Sequence, residues 1–481
     1  MLLTYGSAQG RWVLAAAVGG SAIASIDATA VNIALPAIGH EFGAGMEDLQ
    51  WVVTSYTLTL AGLLLVAGAL GDRYGRRRVF SIGIVWFAVA SLLCAVAWNT
   101  ESLIAARALQ GVGAALLTPG SLAILEAVFV PADRGRAIGS WSGLTGVASA
   151  IGPFLGGWLI QAASWRLIFA INLPIAAAVV WAAHRHIPES RDPEATGRVD
   201  VTGGVLVTLG LVGVTYGLIQ SVGWLALIVG LVLMTAFVLW ERHTPSPVLP
   251  LHLFRSTQFT ATNLVTFVVY GALGGALFLL PLQLQEVSGY TPVQAGLSLL
   301  PITIIMLLLS ARSGALAARI GPRPQMTAGP ILVGIGLGLF TRIGSGGDYL
   351  TEVLPAVLVL GLGLSVTVAP LTATVLAAVP SRHAGVASAV NNDVARAAAL
   401  IAVAVLPAAA GLTSAAYLDA ALFTDGFHTA AMICAVLCVL AGLLAAVTIR
   451  NCASQPAYPP HCRLDAPVPP VTTASASTSE D

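Results

Sequence analysis

The sequence predicts an all-α integral membrane protein, and three observations carry that reading. Only 9% of its 481 residues are charged, 57% are hydrophobic and the mean hydropathy is +0.87. A soluble domain carries roughly 25% charged residues, so this chain lacks the means to clothe a soluble surface. Apolar stretches of membrane length, about 20 residues each, recur as far as about residue 449, and arginine gathers in alternate connections between them. The formal net charge of zero argues against nucleic acid as a partner.

In order, the predicted spans are 12–35, 49–70, 79–98, 103–126, 137–162 and 165–183, then 201–220 and 222–240, then 260–283, 294–317, 325–343, 351–375, 386–409 and 428–449. The first resembles a signal peptide in its Arg11 and small residues. Its apolar run continues past Asp27 to Leu35 and similar runs follow, so it is read as a span. Glycine and proline inside the spans ("GVGAALLTPG", "GLGLSVTVAP") are tolerated there, because neighbouring helices re-satisfy freed backbone groups and small residues permit close packing. The connections "DRYGRRR", "PADRGR", "HRHIPESRDPEATGR", "ARIGPRP" and "PSRH" hold most of the arginines. The intervening ones, such as "GHEFGAGMED" and "GSGGDYLTE", are acidic or neutral, with exceptions at Arg166 and Arg342. The positive-inside bias then places both termini in the cytoplasm of a multi-pass plasma (inner) membrane protein, as an even span count requires.

Residues 184–200 form the longest cytoplasmic connection before the middle pair of spans, the expected link between halves. The Pro/Ser/Thr-rich segment 450–481 lacks apolar periodicity and is expected to be disordered. Cys94, Cys434 and Cys438 lie in apolar spans as small hydrophobes. Cys452 and Cys462 flank His461 in the tail, too sparse a grouping to predict a metal site.

An internal repeat divides the chain. "GALGDRYGRRRV" begins at Gly68 and "GALAARIGPRPQ" at Gly314; six of twelve positions coincide, at an offset of 314 − 68 = 246 residues. Six repeated spans plus two inserted ones (201–240) account for that offset, and parallel six-span repeats with substrate bound between them are a transporter plan. The expected organisation is a six-helix half at 1–183, a linker with two inserted helices at 184–258, a second six-helix half at 259–449 and the tail at 450–481.

Several strings, in order, make a resemblance specific. "GALGDRYGRRR" resembles the loop signature between spans two and three of the major facilitator superfamily. "LIAARALQGVGAALLTPGSLAIL" resembles its fourth-span signature and "GVASAIGPFLGGWL" its antiporter signature. "IDATAVNIALPAI" and "SWRLIFAINLPIA" resemble first- and sixth-span signatures of its fourteen-span drug:proton antiporter branch. The resemblance implies a major facilitator fold with fourteen transmembrane helices. It also implies proton-coupled export of drugs, lipophilic cations or natural products, with no cofactor, and with small-molecule substrate, protons and membrane lipid as partners of a monomer. A lipid or siderophore exporter on the same scaffold is the nearer alternative, and a membrane acyltransferase the more distant one. The sequence carries no clustered catalytic set and no nucleotide-binding motif for either an enzyme or an ATP-driven pump.

Within this frame particular residues acquire expected roles. A charge at the bilayer centre costs on the order of 2.5–3.5 kcal/mol by insertion scales, so Asp27 needs a partner, water or a proton. It is the expected proton carrier; its bland alternative is to pin one helix to another. Arg107 is its expected counter-charge, since the helical rise of about 1.5 Å per residue puts both in the outer part of their spans. Gln110, one turn on, extends the network, with Asn32 a weaker candidate. Asp393 and Arg396, three residues apart, share a helix face and are either a self-neutralising pair or a second proton or substrate station. Gly68, Gly71 and Gly75 allow close backbone approach, and Asp72, Arg73 and Arg76 are expected to form a cytoplasmic latch that the resemblance assigns to the outward-open state. Arg77 and Arg78 are expected to serve topology alone. Gly152, Pro153, Gly156 and Gly157 are expected to pack and kink the fifth span.

Overall fold

A computed structural model describes residues 2–191, 199–220, 222–244, 247, 249–380 and 383–451. The helices are α1 Ala8–Phe42, α2 Met46–Tyr74, α3 Arg76–Ala95, α4 Thr100–Val128, α5 Pro131–Ala162, α6 Arg166–Ala170, α7 Asn172–His186, α8 Val201–Ile219, α9 Trp224–His243, α10 Thr257–Leu282, α11 Pro292–Ser298, α12 Leu300–Ile320, α13 Pro322–Leu339, α14 Leu354–Ala377, α15 Ala384–Ala409, α16 Ser414–Tyr417 and α17 Ala420–Thr448. Their boundaries follow local chemistry. Ser7, Asn99, Ser256 and Asp419 cap α1, α4, α10 and α17 by accepting backbone N–H bonds. α1 ends on Gly43 at φ 63°, a left-handed turn suited to glycine.

Among the described residues, thirteen helical segments are long and apolar enough to cross a membrane, one fewer than predicted. The difference falls on span 325–343. That stretch is helical as α13 and packs between α14 and α17, but its first turn, Pro-Arg-Pro-Gln, dilutes the apolar run. Residues 452–481 of the predicted tail and 192–198 of the predicted 184–200 link lie outside the described residues.

The repeat is visible in the backbone. Met46–Tyr74 and the α11–α12 stretch Pro292–Ile320 are both 29 residues long. Four of the six positive-φ glycines among the described residues pair off at the same spacing as the repeated string: Gly43 (φ 63°) with Gly289 (φ 72°), and Gly75 (φ 115°) with Gly321 (φ 84°). α8 and α9 form a hairpin whose helices approach at Gly213 and Gly230, where an added Cβ would meet the partner backbone. α8 in turn lies against both α2 and α15, through an apolar cluster of Leu58, Leu211 and Leu400.

Candidate functional site

Asp27 is fully buried in α1 and Arg107, in α4, is 1% exposed. One guanidinium nitrogen of Arg107 donates to Asp27 Oδ2 at 2.5 Å and to Gln110 Oε1 at 2.6 Å. Gln110 Nε2 donates to Asp27 Oδ1 at 2.8 Å, and Asn172 Nδ2, from the start of α7, donates to the same oxygen at 3.1 Å. Ser91 of α3 accepts from both amides. The arginine is fixed further by its Nε bond to the Val52 carbonyl and by stacking over the Tyr56 ring at 4.3 Å. Three donors on one carboxylate suit its ionised, acceptor-only form, and helices α1, α2, α3, α4 and α7 all contribute.

The sequence reading named Asp27, Arg107 and Gln110. It missed Asn172, Ser91 and Tyr56, although Asn172 stood as a lone amide in an apolar run. Asn32 takes no part in this network, and its side-chain oxygen is buried without a hydrogen-bond partner.

The chain's two helix groups, α1–α7 and α10–α17, meet at the end of the bundle that carries Phe42–Met46, here called the far end. His40 pairs with Glu286 at 2.9 Å across that end; the two are 246 residues apart, hence equivalent in the repeat. Gln285 donates to the Ile33 carbonyl at 3.0 Å. Gln50 donates to the carbonyls of Val403 and Ala404 at 2.6 and 3.2 Å. Pro407 has no N–H to offer Val403, so Gln50 satisfies a carbonyl that the proline orphans.

The Gly-Pro motif sits beside this seal. An added Cβ would strike Thr29 at Gly152, Ala30 at Gly156 and the Pro292 carbonyl at Gly157, while the Pro153 carbonyl lies against Gly296. α5 runs as one helix through Pro153. The carbonyl that this proline orphans, Ser149, accepts from Thr29 at 3.0 Å. The motif is therefore a three-way contact joining α5, α1 and α11.

At the opposite, near end, Asp72 pairs with Arg76 at 2.7 Å within its own turn. Gly75 needs its positive φ and packs on the Glu189 carboxylate. Gly68 approaches Pro119, and nothing crowds Gly71. Arg77 does more than orient the chain: its side chain bonds the Ile187 carbonyl at 3.1 Å and sits 3.7 Å from Glu189, tying α3 to the exit of α7. Arg73 stacks on Tyr74. Asp393 and Arg396 were open to two readings, a self-neutralising pair or a second station. No salt bridge between them is seen among the described residues, although Arg396 acts electrostatically on Asp393. Asp393 Oδ1 and Arg396 Nε are each buried without a hydrogen-bond partner, and Arg396 lies within electrostatic reach of Tyr56 across the interface. Helical spacing puts them on one face, within electrostatic reach of each other but without a hydrogen bond between Asp393 Oδ1 and Arg396 Nε. Arg166, an exception to the charge bias, is neutralised by Glu41 at 2.6 Å and stacks on Trp165 at 4.4 Å.

A repeated helical bundle, a far-end seal between its halves and a buried ion pair within one half define a membrane transporter rather than an enzyme. Residues 17–404 match the Major Facilitator Superfamily, and the chain belongs to that family. It is similar to the methylenomycin A resistance protein of Bacillus subtilis, 35% identical over 83% of this chain and 87% of that one. It is similar also to the puromycin resistance protein pur8 of Streptomyces alboniger, at 34% over 85% and 83%, and to the tetracenomycin C resistance and export protein of Streptomyces glaucescens, at 34% over 79% and 72%. Its fold is that of a bacterial homolog of the human lysosomal transporter Spinster, solved inward-facing and unoccupied, with TM-score 0.66, 15% identity and coverage of 92% and 97%. A D-xylose–proton symporter shares it too, with TM-score 0.65, 15% identity and coverage of 91% and 97%.

Proposed function

We propose that this chain is a proton-coupled antiporter that exports small organic molecules, drugs or natural products, across the plasma membrane by alternating access. In this reading α13 supplies a fourteenth span, residues 1–183 and 259–449 are the two six-helix halves, and both termini are cytoplasmic. The observation that carries the reading is the buried Asp27–Arg107 pair. A carboxylate at that depth is tolerated in charged form only while Arg107, Gln110 and Asn172 hold it. When α1 shifts against α4 and α7 during the cycle and those donors withdraw, the carboxylate must take a proton. The resistance proteins to which the chain is similar make drugs and antibiotics the substrate class to test first.

In inside-out vesicles with an acidic lumen, puromycin or a lipophilic cation such as ethidium is expected to accumulate until an uncoupler collapses the gradient. Uptake indifferent to the uncoupler would remove proton coupling.

The far-end seal supports an inward-facing state in which the Asp72 latch is undone and Asp72 rests on Arg76. Gln50 and Asp72 then act in opposite directions. Gln50→Leu should shift the balance toward the far-end-open state by about fivefold, for the loss of a hydrogen bond worth about 1 kcal/mol. Asp72→Asn should shift it the other way. Spin-label distances across the far end read both, and two variants moving together would exclude this pair of latches. Asp393 and Arg396, close enough to interact electrostatically but not joined by a salt bridge, remain the candidates for a second station in the C-terminal half.

A further inference from the structure

The near end of the N-terminal half holds a cleft lined by none of the residues of the Asp27 network. Residues 2–6 fold back along the α4–α5 connection: Leu3 N–H donates to Val128 and accepts at its carbonyl from Val130 N–H, at 2.8 and 3.0 Å. Tyr5 is pinned at both ends, its N–H to Asp133 Oδ2 and its hydroxyl to Ser140 Oγ, each at 2.8 Å. Arg136 stacks over that fixed ring at 4.3 Å. Across the gap stands Arg11 of α1. Together these line a cleft of about 590 Å³ between α1 and α5, whose floor runs down through Val18, Gly19 and Leu144. Both arginines are exposed and neither is in an ion pair or side-chain hydrogen bond among the described residues. No acid lines the cleft among the described residues, and Asp133 accepts from the Tyr5 N–H.

We propose that this cleft binds the anionic headgroup of a membrane phospholipid. The argument is charge over grease at matching depth. Two guanidiniums at the rim, one pre-oriented on a pinned aromatic, suit a phosphodiester, which arginine grips with its planar fork. From Arg11 to Gly19 and from Arg136 to Leu144 each wall descends eight residues, about 12 Å of helix. That distance takes a lipid from its phosphate past the glycerol into the first acyl carbons. A free phosphate would use the rim and leave the apolar floor empty. Basic clefts between transmembrane helices on the cytoplasmic side are where anionic lipids bind, and the near end is that side in the orientation proposed above. The site is independent of what the protein exports.

The test uses the purified full chain in nanodiscs of phosphatidylcholine alone or with added phosphatidylglycerol, read by thermal unfolding. Phosphatidylglycerol should raise the midpoint by several degrees. Arg11→Gln with Arg136→Gln should lose more than half of that rise, and Arg185→Gln with Arg242→Gln, removing near-end arginines elsewhere, should keep it. Leu144→Trp, which fills the floor from an exposed position and leaves both charges, should also lose it, and so serves if the arginine variant folds poorly. A full rise in either cleft variant, or an equal rise from inorganic phosphate in pure phosphatidylcholine, would overturn the proposal.

Discussion

Asp27→Asn is expected to abolish gradient-driven uptake while leaving the bundle folded. The amide keeps the shape of the carboxylate but not its acceptors. Whichever way it is turned, one N–H faces donors: Arg107 on one side, or Gln110 and Asn172 on the other. Arg107, 1% exposed, becomes a buried charge with no counter-ion, and breaking such a pair from one side costs about 3–5 kcal/mol. Stability should therefore fall together with transport. Substrate exchange at equal pH on both sides should survive better than accumulation against a gradient, because it needs no proton to be released. Full accumulation by the variant in acid-loaded vesicles would remove Asp27 from the coupling step.

Gly156→Leu should be the most damaging change away from any charge. A Cβ there already lies 2.9 Å from that of Ala30 and 3.1–3.2 Å from its backbone. Since α1 cannot yield by rotating a side chain, the two helices must part. Overpacking typically costs about 1–3 kcal/mol, and here it also loosens the far-end contact with α11 next door at Gly157. The expected result is a lower unfolding midpoint and transport reduced at least tenfold. Gly146→Leu, ten residues earlier on α5, where nothing lies within 4 Å, is the matched control and should leave the midpoint unchanged. Equal midpoints for the two would show that small size at position 156 is not what holds α1 and α5 together.

Much of this was legible in the sequence because a membrane leaves large signals. Spans are long apolar runs and the buried acid is an outlier among them; even the repeat survives as a twelve-residue string. The Asp27–Arg107 pair could be anticipated from the depth of the two residues together with the resemblance, which puts the first and fourth spans on one cavity. Side-chain direction could not. Asp393 and Arg396 have the spacing of an ion pair yet make none, because i,i+3 geometry fixes the face and not the rotamer. Asn172 and Gln50 were silent for a different reason. Each is one amide whose partner lies more than a hundred residues away, and a satisfied carbonyl left by a proline has no trace in composition. α13 is a helix where a span was expected, but its polar first turn keeps it from the length of apolar run that the other thirteen segments have.

The hairpin of α8 and α9 breaks the symmetry that the repeat creates. The two helix groups meet along two seams, one flanked by α2 and α15 and the other by α5 with α11 and α12. α8 touches α2 and α15 together and so covers the first seam, while the second carries no such cover. The bilayer therefore meets two unlike seams: one buried beneath the hairpin, the other closed only by the direct contact of α5 with α11 and α12.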